Sequence, residues 1–216
     1  MGRETLTLEK MYDMQKVLDT RIIKEKGLEG KDLLPNTVLA LQVEIAELAN
    51  EWRGFKHWSD HKEPKRGYEA LIDCDGCNGK GFWFDGPRVK CSKCNETGKV
   101  LNPLLEEYVD CLHFFLSIAR QLDLPADDLY VADDQLEYDS AIVFTELLHN
   151  VGLIMGDQFL LNPPKDVQRY RRDHLRGALY IFYGLGEQRL GFSFEQIAEA
   201  YATKNQVNHD RQANGY

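Results

Sequence analysis

Two pairs of acidic residues at helical spacing constrain most strongly how this chain of 216 residues folds. Glu44 and Glu47 lie in the segment VEIAELANEW, and Glu107 and Asp110 lie in LEEYVDCLHFFLSIA. A spacing of i, i+3 puts both acids of a pair on one face of a helix. If the two helices pack side by side, four acids meet at one point. A hard divalent cation such as Mg²⁺ is the counterion that such a set of oxygens binds.

The apolar residues around both pairs indicate that the two helices are packed. The second helix is apolar almost all round, which is typical of a buried helix, and buried charges need a partner or a metal. On the first helix the acids border an apolar stripe, which consists of Leu41, Ile45, Leu48 and Trp52. The alternative for Glu44 and Glu47 is a solvated helix surface, which is the commoner fate of an ExxE pattern.

Composition limits the classes of function. The chain is 43% hydrophobic and 28% charged, which is typical of a globular protein. Its formal charge of −9 argues against a general nucleic-acid-binding surface, although bound cations can still attract anionic substrates. No apolar run is long enough for a transmembrane helix and the N-terminal residues resemble no secretory signal, so we expect a cytoplasmic protein.

Four of the five cysteines form two CxxC pairs separated by thirteen residues. In a cytoplasmic protein, Cys74, Cys77, Cys91 and Cys94 predict a structural Zn²⁺ bound by four thiolates. A redox-active dithiol pair is the alternative. We predict an inserted zinc-binding hairpin module over residues 67–100, while residues 1–66 and 101–216 form the core. The fifth cysteine, Cys111, is predicted to pack in that core.

Helical periodicity dominates outside this insertion. Capping signals and breakers predict an all-α fold, a bundle of about six helices with the small zinc-binding hairpin module inserted. Asn102 and Pro103 read as the N-cap and first residue of the third helix, and Ser193 with Gln196 reads as a capping box. The six helices are predicted over about 7–26, 35–53, 103–122, 134–155, 166–185 and 194–208.

Polar residues on the first and last helices suggest a binding site. Lys204, Asn208 and Arg211 recur at i, i+4, i+7, so they share one helix face and offer cations and an amide to phosphates. The alternative is the general preference of Lys and Arg for the last helical turn. Gln15 is interpreted first as a core amide with its hydrogen bonds satisfied. It could instead read the edge of a base.

These elements together resemble the all-α, dimeric-type dUTPases, which are related to the MazG-like nucleotide pyrophosphohydrolases. The matching segments are MYDMQKVLD, VEIAELANEWRGFKHWS, LEEYVDCLHFFLSIA and GFSFEQIAEAYATKNQVNHDRQANGY. The resemblance covers the chain except for the cysteine module. It implies a homodimer that hydrolyses dUTP to dUMP and pyrophosphate, with dUTP and dUDP as the type of nucleotide bound. No membrane association and no stable nucleic-acid binding are expected.

The resemblance also implies roles for individual residues. Glu44, Glu47, Glu107 and Asp110 would hold two or more Mg²⁺ ions, and Glu47 would also act as the catalytic base. Gln15 would read uracil, and Phe114 would pack on the sugar. The full set of implied substrate-binding residues is Gln15, Asn50, Trp52, Lys56, Phe114, Tyr201, Lys204, Asn208, Arg211 and Tyr216.

Two alternatives to this function stay open. One is a pyrophosphohydrolase for dCTP or for a broader range of deoxynucleotides. The other is a non-catalytic helical binding module that docks a partner through the zinc hairpin. The second alternative draws on the basic residues near the cysteines, which are Lys65, Arg66, Lys80, Arg88, Lys90, Lys93 and Lys99.

Overall fold

A computed structural model of the chain describes residues 6–83, 89–131 and 135–215. Six α-helices account for most of this part, as the sequence predicts: α1 Leu8–Glu25, α2 Leu34–Trp52, α3 Pro103–Gln121, α4 Ser140–Leu153, α5 Val167–Gly184 and α6 Phe194–Ala213. Four short strands lie between α2 and α3: β1 Leu71–Asp73, β2 Phe82–Trp83, β3 Val89–Lys90 and β4 Lys99–Leu101. The all-α core with a small inserted hairpin module is therefore confirmed.

Local capping fixes where the helices begin. The Asn102 side chain accepts a hydrogen bond from the Leu104 amide (3.0 Å) at the start of α3. Thr7 caps α1, and Ser193 forms the predicted capping box with Gln196 at the start of α6. These side chains satisfy amides that have no partner within the helix.

Two helix boundaries differ from the prediction. Helix α4 begins at Ser140 instead of 134, because the Arg189 guanidinium binds the carbonyls of Leu136 and Tyr138 (2.5 and 2.9 Å) and keeps this segment non-helical. Helix α6 continues to Ala213 instead of ending near 208. Gln206 donates to Asp210 four residues on (2.9 Å), which is a pair that supports a helix.

Helix α3 forms the centre of the bundle. It contacts α1, α2, α5 and α6, while α4 packs against α2 and α5. Its apolar residues are buried on almost every side, as are the inward-facing residues Leu41, Ile45 and Leu48 of α2. Cys111 is buried in this same core, as predicted. Each fully buried aliphatic side chain contributes about 1.5–3 kcal/mol, so this core does not need a metal to hold α2 against α3.

The inserted segment forms two antiparallel ladders. Strand β1 pairs with β4, with Ile72 opposite Val100, and β2 pairs with β3. The four cysteines form a separate buried cluster, against which Val100 packs. Gly81 and Gly98 both have positive φ, and a Cβ at either position would lie 2.3 Å from a backbone oxygen of the other knuckle. Only glycine therefore allows the two cysteine knuckles to approach so closely.

None of the described helices has the length and apolarity to cross a bilayer.

Candidate active site

Three acids converge where α2 packs against α3. Oxygens of Glu44, Glu107 and Asp110 lie within 4.8 Å of one another. Because the apolar stripe of α2 faces α3, Glu44 lies at the edge of the helix interface, opposite the ExxD pair of α3. Carboxylate oxygens at this separation can share one or more hard divalent cations.

The charges of these acids oppose one another. Burial, followed by the charges of Asp110 and Glu47, raises the pKa of Glu44 to about 7. Burial and the charges of Asp110, Glu44 and Glu47 raise the pKa of Glu107 to about 7 as well. The pKa of Asp110 is also raised, chiefly by burial, although Lys204 partly offsets this effect. A site of this kind favours protons or cations.

Lys204 of α6 brings a positive charge to the same place. Its ammonium nitrogen lies 2.6 Å from Oδ2 of Asp110 and 2.7 Å from Oε1 of Glu106. Burial would lower the pKa of Lys204, but the hydrogen bonds and charges of Asp110 and Glu106 outweigh it and raise this pKa. Glu106 is not among the predicted site residues, although it stands beside Glu107 in the same motif.

Other predicted residues lie near this cluster. Glu47 is exposed and lies outside the group of three, but its charge contributes to the raised pKa values of both Glu44 and Glu107. The charge of Arg211 lowers the pKa of Asp110, so α6 carries a second cation toward the acids. Asn208 is half-buried on α6 between Lys204 and Arg211. The predicted catalytic and phosphate-binding roles of these residues remain predictions.

Gln15 lies in a buried polar network instead of at the surface. Its Oε1 lies 2.7 Å from His113 Nδ1 and 2.9 Å from the Tyr201 hydroxyl, and its Nε2 donates to Asp19 (2.7 Å). Asp19 in turn pairs with Arg120. This is the geometry of the satisfied core amide, the first of the two interpretations of the sequence. A role in uracil recognition remains a prediction.

His113 and Tyr201 complete this network. Their rings stack with centroids 4.1 Å apart, and Tyr201 is fully buried. Burial and the charge of Lys204 lower the pKa of His113 to about 3, so this imidazole is neutral at physiological pH. Because Gln15 Oε1 can only accept, His113 donates through Nδ1.

The remaining predicted nucleoside-binding residues occupy varied environments. Trp52 is half-buried, its ring 5.1 Å from that of Phe144, and it packs closely on Gly54. Lys56 and Phe114 are half-buried, and Asn50 is exposed. Tyr216 lies outside the described residues, as does Arg88 of the basic group.

The four cysteines of the CxxC pairs form a second candidate metal site. All four are buried free thiols, and their sulfurs converge closely enough to share one ion. Cys74 and Cys91 have sulfurs 3.8 Å apart, and Cys77 and Cys94 have sulfurs 3.7 Å apart. A tetrahedral zinc site with Zn–S bonds of about 2.3 Å requires sulfurs separated by about 3.8 Å. The observed spacing therefore fits Zn²⁺.

A family model described as dUTPase matches residues 7–74 and 92–216. The chain belongs to the dUTPase family. Its activity is accordingly the hydrolysis of dUTP, which makes this dUTPase a dUTP diphosphatase. The match includes both acid pairs and the polar residues of α6, and it omits residues 75–91 of the cysteine segment. No curated protein matches the chain.

Proposed function

We propose that this dUTPase hydrolyses dUTP to dUMP and pyrophosphate with Mg²⁺ held by Glu44, Glu47, Glu107 and Asp110. The observation that carries this proposal is the convergence of three carboxylates within 4.8 Å at the edge of a packed helix interface. Oxygen ligands of this kind suit Mg²⁺, and their raised pKa values reflect a demand for positive charge. Two or more ions would fit the charge of four acids.

The chemistry divides between the ion and the protein. When bound, Mg²⁺ neutralises phosphate oxygens and helps to position the triphosphate. Glu47 is the exposed acid of the first pair and the member outside the tight group. Its exposed position is compatible with taking a proton from the attacking water, which is the role we assign to it.

Helix α6 supplies the phosphate contacts in this proposal. Lys204 already places its ammonium group at the acid cluster, and Arg211 lies close enough for its charge to affect Asp110. These two residues, with Asn208 and Lys56, would bind the triphosphate. The nucleoside would lie against Asn50, Trp52, Phe114 and Tyr216. Gln15 and Tyr201 would contact it only if their buried network opens when the nucleotide binds.

The zinc site has a structural role in this proposal. The insertion has very short strands, and Val100 is the partly buried apolar residue that packs on its cysteine cluster. A segment with so little core gains its folding energy from a bound metal. Residues 67–100 would therefore fold around Zn²⁺ as a module within the helical core.

We further propose a cytoplasmic homodimer. Leu39 and Val43 are 62% and 48% exposed, and their spacing puts them on one face of α2. Phe159 and Leu161 are also largely exposed, after the end of α4. Apolar surface of this kind is typical of an interface between subunits.

The rival docking function for the zinc hairpin loses part of its basis. Asp75 pairs with both Arg66 and Lys93, Lys99 pairs with Asp73, and Lys90 pairs with Glu96. These contacts neutralise much of the positive charge that the sequence analysis assigned to a docking surface. Stable binding of nucleic acid is accordingly not part of the proposal.

Release of pyrophosphate from dUTP, dCTP and dTTP, and of orthophosphate from dUDP, with and without Mg²⁺, tests the proposal. We expect Mg²⁺-dependent release of pyrophosphate from dUTP, and much slower turnover of dCTP. Glu107→Gln should abolish the response to Mg²⁺, whereas Glu146→Gln on the exposed surface of α4 should not. Turnover without Mg²⁺, or an unchanged Mg²⁺ response in Glu107→Gln, would contradict the assignment.

A further inference from the structure

The insertion is joined to the acid-bearing helix by a short stem of two strands. Strand β1 ends immediately before Cys74, and β4 is separated from α3 by Asn102 alone. Strands β1 and β4 pair over three residues each, from Leu71 opposite Leu101 to Asp73 opposite Lys99. A displacement of the cysteine knuckles is therefore transmitted along at most a few residues before it reaches the first turn of α3.

Neighbouring residues of β4 contact the two separate hydrophobic clusters. Val100 packs against the cysteine cluster, and Leu101 packs against the main core of the bundle. Successive side chains of a strand point to opposite faces, so Val100 contacts the cysteine cluster while Leu101 contacts the main core. Ala70, at the start of the stem, also packs against the main core. The stem is thus anchored at both ends.

Asn102 fastens this stem to α3. Its side-chain nitrogen donates to the carbonyls of Glu69 (2.7 Å) and Gly67 (3.0 Å), and its backbone amide donates to the Ala70 carbonyl (2.9 Å). Its Oδ1 caps the Leu104 amide (3.0 Å). The side chain is 1% exposed, so these bonds are made away from water.

The same residue leads directly into the acid cluster. The Asn102 carbonyl accepts from the Glu106 amide (2.9 Å) in the first turn of α3. Glu106 binds Lys204, and the next residue, Glu107, belongs to the group of three acids. The orientation of this first turn decides where the Glu107 carboxylate lies relative to Glu44 of α2.

We propose that the zinc module and the magnesium site are energetically coupled through this stem, with Asn102 as the positioning residue. The coupling rests on the proposed function, because it requires Zn²⁺ at the cysteines and Mg²⁺ at the acids. An ordered module holds the carbonyls of Gly67 and Glu69 in place, and Asn102 transmits that order to the first turn of α3. By linkage, each metal strengthens binding of the other. The family match omits residues 75–91 between the two stem strands and covers the stem itself together with Asn102.

Asn102→Ser tests the bonds of Asn102 to the stem separately from its role as N-cap of α3. Serine keeps an N-cap acceptor of similar strength but cannot donate to the two carbonyls of the stem. We expect the Mg²⁺ concentration for half-maximal dUTP turnover to rise by about fivefold, the lower end of typical coupling between sites. The kcat at saturating Mg²⁺ should stay near that of the wild type. Amide exchange over residues 102–107 should become faster.

Asp166→Ser provides a matched control. Asp166 caps α5 through the Arg169 amide (2.9 Å), so this variant also exchanges one N-cap residue for serine, at a helix that carries none of the four acids. Its Mg²⁺ half-saturation should equal that of the wild type. A second route needs no variant, since removal of Zn²⁺ from the wild-type enzyme with a chelator should produce the same rise and the same faster exchange.

The outcomes separate this coupling from the proposed function. Native Mg²⁺ half-saturation and native exchange in both Asn102→Ser and the zinc-stripped enzyme would overturn the coupling. Mg²⁺-dependent dUTP turnover and zinc content of the wild type would then still support the proposed function. Wild-type enzyme that purifies without zinc would overturn the coupling and the zinc site but not the Mg²⁺-dependent hydrolysis. Turnover that is independent of Mg²⁺ would overturn both the coupling and the proposed function.

Discussion

The acid cluster and the cysteine cluster both gather ligands that repel one another when ionised, but they are built differently. The acids project from long helices that pack through a large apolar core, and Lys204 supplies a cation of the protein itself. The cysteines project from knuckles between strands of two or three residues, with Val100 as their partly buried apolar neighbour. In the proposed function, Mg²⁺ serves chemistry in a site that folds without it, whereas Zn²⁺ would hold together a segment with little core of its own.

The largest expected effect tests the catalytic role that we propose for the acid cluster. Glu47→Gln keeps the size of the side chain but removes the proposed base. We expect kcat to fall by about 100-fold or more, within the usual contribution of a general base. Steady-state kinetics on dUTP, with nucleotide binding followed by calorimetry, would measure the change. Native turnover in this variant would show that Glu47 is not the base.

The next prediction tests whether Zn²⁺ bound by the four cysteines holds the insertion together. Cys94→Ser should release zinc and raise the rate of amide exchange in β1 and β4 by about 100-fold or more. The reason is that metal binding would no longer oppose local opening of these strands. Exchange in the middle of α3 should stay slow, since that helix is buried in the main core. Cys111→Ser, a change of the cysteine that lies outside the cluster, is the control for zinc content. Zinc retained in Cys94→Ser would contradict a four-cysteine site.

Lys204 offers a sharper test of the acid site, because its ammonium group binds Asp110 and Glu106 directly. Lys204→Met should weaken dUTP binding by about tenfold, as expected for one lost charge-assisted hydrogen bond. The same variant should bind Mg²⁺ more tightly in the absence of nucleotide, because Asp110 loses its competing partner. Calorimetry with each ligand separately measures both changes, and Lys16→Met on the exposed face of α1 is the control. Changes of the same direction for both ligands would argue against this role.

Local signals explain what the sequence could predict. The cap of α3 at Asn102 and the capping box at Ser193 depend on residues two or three positions away, so both can be predicted from the sequence alone. The convergence of Glu44 with Glu107 and Asp110 was predictable because helical spacing and the apolar character of α3 together leave few ways to pack the two helices. The sequence did not reveal that Glu47 would lie outside this group. The cysteine cluster was predictable because the spacing of its two CxxC pairs is itself characteristic of zinc.

Contacts between distant segments explain what could not be predicted. The bond between Lys204 and Glu106 spans 98 residues, and so does the contact between Gln15 and His113. The sequence suggested Lys204 as a phosphate ligand but contained no signal that it would also bind the acids of α3. For Gln15 it left two interpretations open, and the fold places the side chain in a buried network that local periodicity does not reveal.

The smallest expected effect concerns pH and again separates the two sites. The pKa of Glu44 and of Glu107 is about 7 in the folded protein, above the ordinary value of 4.5. Between these values the folded state binds more protons than the unfolded state, so the free energy of unfolding falls as pH rises. Without Mg²⁺, we therefore expect the melting temperature of the bundle to decrease from about pH 5 to pH 8.

Added Mg²⁺ should oppose this decrease, because the ion replaces the protons on these acids. The rise in melting temperature on addition of Mg²⁺ should be larger at pH 8 than at pH 6. Removal of Zn²⁺ should destabilise the inserted module at both pH values. The double variant Glu44→Gln, Glu107→Gln is the control, since it removes both titrating groups and should flatten the pH dependence of the metal-free protein. Thermal unfolding followed by circular dichroism measures each case. An equally steep pH dependence in the double variant would show that other titrating groups dominate and that Glu44 and Glu107 are not the source of the effect.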